Sequence, residues 1–313
     1  MNLKKHSRRR DSEQSFWGWG VVGALIFFTL LVAPGAALGM KVTKNIPYVS
    51  FPGVKLNLTS LDIYAPDDAG PSNKHPVMIY IHGGAWAMGD KSQVNLKPAA
   101  FTSRDYVFVS ANYRLTTSKI KFPVHAYDIA KAVAWVYSHG AVYGADNRKI
   151  FLMGHSAGCH LVAIVAADST YLKAEGLGLK NIKGVIDLDT QAYDLPRLAE
   201  GYGGQLPETY AYTFGTDPDD WASASPITYI KSGRGIPPQI IAYSGGIAGV
   251  EDIQRKEQSE AFYRALGKAH ITTQLVPAPT KTHAQINREF GLTGDPVTEA
   301  CFSFLARILK GSK

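Results

Sequence analysis

Cysteine is almost missing from this chain: Cys159 and Cys301 are the only two among 313 residues. They form no CxxC pair, which argues against a thiolate metal site and against a disulfide-stapled scaffold; a single Cys159–Cys301 bridge in an oxidising compartment stays open, as does a packing role for Cys159 on a helix. Clusters of Lys and Arg interleaved with aromatics are also lacking. The formal net charge is +7, but residues 1–15 carry five basic and two acidic side chains, so three of those charges belong to the N-terminus and the remainder is only mildly basic. That leaves no case for nucleic acid as a partner. Internal repeats and low-complexity tracts are absent, which excludes solenoids and compositionally biased arrays. Long apolar runs are lacking too, with one exception.

The exception is residues 16–40, FWGWGVVGALIFFTLLVAPGAALGM, an uncharged run behind the basic stretch MNLKKHSRRR. It is long enough to span a bilayer as a helix. Its small residues Ala36, Ala37 and Gly39 equally suit a signal-peptidase site. An uncleaved single-helix anchor is placed slightly ahead of a cleaved signal, and in both cases the basic flank stays cytoplasmic while the domain lies outside the cytoplasm. The chain therefore divides into residues 1–40, a basic and hydrophobic signal or anchor segment, and residues 41–313, one large domain.

Within that domain, continuous β-branched and aromatic runs at 77–81, 106–111, 149–153, 184–188, 239–243 and 272–276 suit strands buried on both faces. Stretches with helical spacing at 124–137, 157–167, 253–266 and 297–309 lie between most of them. The alternation predicts a mainly parallel sheet flanked by helices. Residues 41–66 have the alternation of an antiparallel edge, and residues 190–235, rich in Gly, Pro, Tyr and Asp and without a clear strand, read as a small cap.

Gly154-His155-Ser156-Ala157-Gly158 falls between the strand KIFLM and the helix AGCHLVAIVAA. A nucleophile on a sharp strand-to-helix turn needs small flanking residues, because larger Cβ atoms would collide across the strained backbone. The turn also sets Ser156 at a helix N-terminus, where backbone N–H groups favour developing negative charge. His82-Gly83-Gly84-Ala85-Trp86 follows the strand VMIYI, so the amides of Gly84 and Ala85, with that of Ala157, are candidates for an oxyanion hole. His82 and Trp86 then shape the loop. The base is expected in a loop after the last strand, where His283 is the one histidine beyond His270. His155 and His160 flank the nucleophile on different sides of a helix, which favours packing over a metal pair. The acid is sought after the strand QIIAY, where the loop offers Glu251 and Asp252. Asp252 also suits the N-cap of the next helix, which leaves Glu251 as the first choice and Asp252 as the alternative.

These residues resemble the α/β-hydrolase superfamily, in particular esterases related to bacterial feruloyl esterases and kynurenine formamidases. The similarity runs from about residue 45 to the end. It is carried by HGGAW, by Ala111-Asn112-Tyr113-Arg114-Leu115, by Phe122-Pro123 with Asp128, by GHSAG, and by Ala224-Ser225-Pro226-Ile227. In such families the acid often stands seven residues before a Gln-Ser pair, and counting back from Gln258-Ser259 gives Glu251. The loop SGGIAGVED is longer than usual and offers Glu where Asp is commoner. The resemblance implies a serine hydrolase of carboxylic esters, without metal or organic cofactor, acting on a small or aryl ester; Tyr193, Tyr202 and Trp221 are candidate aryl contacts or packing residues. An amidase or formamidase with the same residues, and a non-catalytic binding module anchored by residues 16–40, are the alternatives.

Overall fold

Each of the apolar runs named above becomes a strand, and the strands join in one sheet. The protein's computed structural model describes residues 39–246 and 252–311. Its strands are β1 (Met40–Pro47), β2 (Ser60–Pro66), β3 (His75–Ile81), β4 (Val107–Ala111), β5 (Ala145–His155), β6 (Ile182–Leu188), β7 (Gln239–Ser244) and β8 (Thr273–Ala278). They lie in the order β1-β2-β4-β3-β5-β6-β7-β8. The pairs β1–β2 and β2–β4 are antiparallel and all the others parallel. Helices fill the connections: α1 (Lys97–Thr102), α2 (Val124–His139), α3 (Ala157–Ala167), α4 (Ser169–Lys173), α5 (Leu195–Gly201), α6 (Glu208–Phe214), α7 (Pro218–Ser223), α8 (Ile253–Lys268), α9 (His283–Arg288) and α10 (Pro296–Gly311).

The period of two along a strand divides the core between the two faces of the sheet. Val77, Ile79 and Ile81 of β3 point into one apolar cluster with residues of α2, α3 and α8, whereas Met78 and Tyr80 point into the other with residues of α1 and α10. All five are essentially inaccessible. Burying each such side chain is worth roughly 1.5–3 kcal/mol before conformational entropy is subtracted. Parallel pairing also aligns strand ends: Ile81 lies beside Gly154, Leu188 beside Ala242, and Ser244 beside Ala278. Whatever follows β3, β5, β6, β7 and β8 therefore meets at one rim, where open α/β sheets place their ligands.

Several readings take definite form at this level. The alternation of residues 41–66 predicted an antiparallel edge, and β1 takes that edge, whereas β2 lies inside the sheet and is wholly buried; Asp62 is accommodated by the equally buried Lys91, 3.0 Å away. Residues 190–235 carry α5, α6, α7 and a short 3-10 turn, and no strand. The Cys159–Cys301 bridge does not form. Both thiols are free and buried, and they belong to clusters on opposite faces of the sheet. Of the anchor or signal segment at residues 16–40, residues 16–38 lie outside the described residues; among those described, no helix is long and apolar enough to cross a membrane.

Candidate active site

At the end of β5 the chain turns directly into α3, and Ser156 occupies the corner with φ 56° and ψ −121°. That left-handed backbone is strained for any residue with a Cβ and persists only where its surroundings fix it. They do so on both sides: the Ser156 N–H donates to Leu188 O at 3.0 Å, and Ser156 O accepts from the His160 N–H at 3.2 Å. A Cβ on Gly158 would come within 2.1 Å of Ile81 O, so the helix can approach β3 only with glycine there.

The Gly83–Trp86 loop lies against this corner. A Cβ on Gly83 would stand 2.9 Å from the Ser156 Cβ and 3.0 Å from His155 O. Ala85 and Trp86 both hold positive φ, at 48° and 59°. Trp86 anchors the turn: its indole is buried, donates to His160 Nδ1 at 3.2 Å, and packs edge-on against Phe214 at 4.8 Å. His160 Nε2 in turn donates to Ala224 O at 2.8 Å, which fixes one neutral tautomer. Burial, opposed by the bond to Ala224, lowers the His160 pKa to about 4. Among the described residues, no acceptor takes the N–H of Gly84, Ala85 or Ala157. These are the three amides singled out from the sequence.

His283 opens α9 just after β8. Its N–H donates to Gly246 O at 2.9 Å, and Gly245 N–H donates to Lys281 O at 2.9 Å, so the loops after β7 and β8 are tied together. His155 adds a further tie by donating from Nε2 to His283 O at 2.9 Å, its ring 4.5 Å from that of His283. Burial, reinforced by the neighbouring His283, pulls His155 down to about 3, so it stays neutral. His155 and His160 are each committed by Nε2 to a different backbone carbonyl, in keeping with the packing role expected of both.

The acid is where the structure departs from expectation. The carboxylate on His283 Nδ1 is Asp189, at 2.7 Å, from the loop after β6. Asp252, the alternative choice, is instead the N-cap of α8: it accepts from Arg255 N–H at 3.1 Å and from Gln191 Nε2 at 2.7 and 2.6 Å. Glu251, the first choice, lies outside the described residues. Asp189 is fully buried, with φ 62°. Its Oδ1 accepts from Ser244 N–H at 3.0 Å, its Oδ2 accepts from the Ser244 hydroxyl, and Arg255 Nη1 stands 3.3 Å from Oδ1. Burial alone would raise its pKa, but the hydrogen bond from His283, the Arg255 charge and the Ser244 hydroxyl outweigh it and hold the carboxyl well below the usual range. Two residues earlier, within β6, Asp187 has Cys159 Sγ at 3.9 Å, and burial pushes its carboxyl well above that range. The sequence held one overlooked clue: the apolar strand IKGVIDL is followed at once by a second aspartate.

Ser156, His283, Gly83, Gly84 and Ala85 line one cavity of about 610 Å3, completed by Tyr80, Met88 and Asn287 among others. The candidate aryl contacts lie elsewhere. Tyr193 is buried and stacks on Phe262 at 4.3 Å, Trp221 is buried and donates to Gly215 O, and Tyr202 is half exposed. Behind the cavity wall, Lys97 is wholly buried; its ammonium donates to Asn287 O at 2.7 Å and sits 5.0 Å from the centre of the Tyr80 ring. Burial lowers its pKa to about 7.

The family model BD-FAE matches residues 61–266, which takes in β2 through α8 and every loop at this rim except the one bearing His283. The chain belongs to the BD-FAE family. Esterase LipQ of Mycobacterium tuberculosis is 29% identical over 279 residues, covering 85% of this chain and 62% of that protein. The probable isoprenylcysteine alpha-carbonyl methylesterase ICMEL2 of Arabidopsis thaliana is 24% identical, covering 87% of this chain and 65% of its own length. The chain thus spans somewhat under two thirds of these curated relatives. Among solved structures, Thermogutta terrifontis esterase 2 phosphoramylated by tabun superposes with a TM-score of 0.67 at 25% identity, covering 89% of this chain and 98% of that one. Sheet order, crossovers and neighbours together make this an α/β-hydrolase fold.

Proposed function

We propose that this BD-FAE family member is a serine hydrolase of carboxylic esters. The observation that carries the reading is that a strained Ser156 and a His283 held by the buried Asp189 line one cavity with Gly84 and Ala85, whose amides, like that of Ala157 next to Ser156, have no acceptor among the described residues. Because Nδ1 of His283 is committed to Asp189, Nε2 is the nitrogen free to act. It takes the Ser156 proton as Oγ bonds to the carbonyl carbon, and the oxyanion rests on the amides. The C–O bond then breaks and the alcohol leaves with the proton from Nε2. Water adds to the acyl-enzyme by the same route, releasing the acid and restoring Ser156. Asp189 stays ionised throughout and stabilises the imidazolium.

A cavity of about 610 Å3 falls in the range of small-molecule pockets, and Tyr80 and Met88 give it apolar wall, which fits a short-chain or aryl ester. The esterase names of the relatives and the organophosphorus adduct of the Thermogutta enzyme support the same chemistry. The apolar run at residues 16–40 behind a basic flank supports a domain that is anchored or exported. The test is a fluorophosphonate probe on the full chain: wild type is labelled and Ser156→Ala is not, with hydrolysis of short aryl esters lost by about 10^4-fold or more. Equal labelling of the two proteins would end the assignment.

A further inference from the structure

Asp189 is held from a side that the acyl-transfer scheme does not use. Arg255, on the first turn of α8, is 4% exposed. Its Nη1 donates to Asp189 O at 3.2 Å and stands 3.3 Å from Asp189 Oδ1, so one nitrogen grips both the backbone and the carboxylate of that residue. The residue so gripped has φ 62°, and its N–H is pinned to Ala242 O at 2.8 Å. Arg255 Nε faces Asp252 Oδ2 at 3.5 Å. Asp252 is itself held by Gln191 Nε2, whose amide oxygen accepts from the Tyr210 hydroxyl at 3.3 Å. A chain of contacts thus runs from Tyr210 through Gln191, Asp252, Arg255 and Asp189 to His283.

We infer that Arg255 is a positioning residue for the acid–base pair, tuning how readily His283 gives up its proton by neutralising one of two carboxylates, the buried Asp189 and the half-buried Asp252, while locking the strained turn at Asp189. The inference rests on the role given to Asp189 under the proposed function. Its physical content is a charge count. Asp189, Asp252 and Arg255 sum to −1, and protonation of His283 brings the cluster to zero. Without Arg255 two uncompensated carboxylates remain in the cluster that adjoins the imidazolium through Asp189, and one charge a few ångströms away in a partly buried setting is worth of the order of one pH unit. The other groups packed here do not supply the missing charge. Tyr210 and Cys159, which face Arg255, are held neutral by burial. His155, beside His283, is neutral for the same reason. Lys97 acts on His155 from the far side, and Lys281 is committed to Glu289 and Asp295. All of these are common to every variant compared below.

The experiment is the pH profile of kcat/KM for one short aryl ester, measured on the full chain. Arg255→Gln is expected to move the acidic limb up by about one pH unit, because His283 keeps its proton longer. Asp252→Asn, which retains an N-cap side chain, is expected to move it down. The double variant falls near wild type, and Arg255→Lys, which keeps the charge, restores most of the limb. An Arg255→Gln protein with lowered turnover but an unmoved limb would reduce Arg255 to a structural role and overturn the inference. If Arg255→Gln does not fold, the downward shift in Asp252→Asn together with the retained limb in Arg255→Lys decides; an unmoved limb in Asp252→Asn rejects it. Asp189→Asn is the separate control. If that variant hydrolyses like wild type, the acid assignment itself has failed, whatever Arg255 does.

Discussion

The loop after β5 and the loops after β6 and β7 stand at the same rim of the same sheet, yet only the first announces itself in the sequence. At Ser156 the backbone is forced into a corner with neighbours 2.1 Å from where a Cβ on Gly158 would stand, so the residue types on either side are dictated locally. At Asp189 nothing local dictates the role. A carboxylate can reach Nδ1 of His283 from the end of either strand, and the partners that select Asp189, namely Ser244 and Arg255, stand 55 and 66 residues further along. Chemistry imposed by backbone crowding leaves a motif, whereas chemistry imposed by long-range hydrogen bonds leaves only a residue of the right type.

The contrast can be broken most sharply at the acid. Asp189→Asn is expected to lower kcat by about 10^3–10^4, since an amide would favour the wrong tautomer of His283 and cannot stabilise the imidazolium. Single-turnover kinetics on an aryl ester measures this. A comparable loss in Glu251→Gln, with Asp189→Asn near wild type, would return the role to the loop after β7. The next effect tests the crowding at the nucleophile. Gly83→Ala places a methyl 2.9 Å from the Ser156 Cβ and should displace the neighbouring amides, lowering kcat by roughly 10^2–10^3 with little change in KM.

The smallest effect concerns the two buried cations near the site. Arg255 has carboxylates on two sides, whereas Lys97 has a carbonyl and an aromatic face. Between its folded pKa of about 7 and the ordinary 10.5, the unfolded chain binds a proton at Lys97 that the native protein does not. Stability therefore rises with pH across that window, and the burial penalty is felt in full below pH 7. Lys97→Met should raise the melting temperature by about 4 °C at pH 6, with the gain shrinking toward pH 10. A constant difference across the range would mean that the ammonium is not the source.

Much of the fold was legible because burial on both faces writes itself as unbroken apolar runs. The strands β3 to β8 and the helices α2, α3, α8 and α10 fall where those runs and their 3.6-residue counterparts predict. The buried β2 was less legible, because Asp62 in a strand reads as a wet face until Lys91 is seen beside it. Short helices α5 to α7 gave no periodicity long enough to detect, and of the aromatics there Phe214 and Trp221 pack beneath the surface while Tyr202 and Tyr212 stay exposed.

By itself the sequence determined the parallel sheet, the serine corner, the glycine loop and the histidine after the last strand, because each depends on contacts or topology within one or two neighbouring elements. Only the tertiary structure decided which carboxylate faces His283, that the two cysteines lie on opposite sides of the sheet, and that Arg255 stands between two acids. Those outcomes depend on distances between segments far apart in the chain, and a pairing across space constrains the kind of residue at each end without marking which candidates will meet.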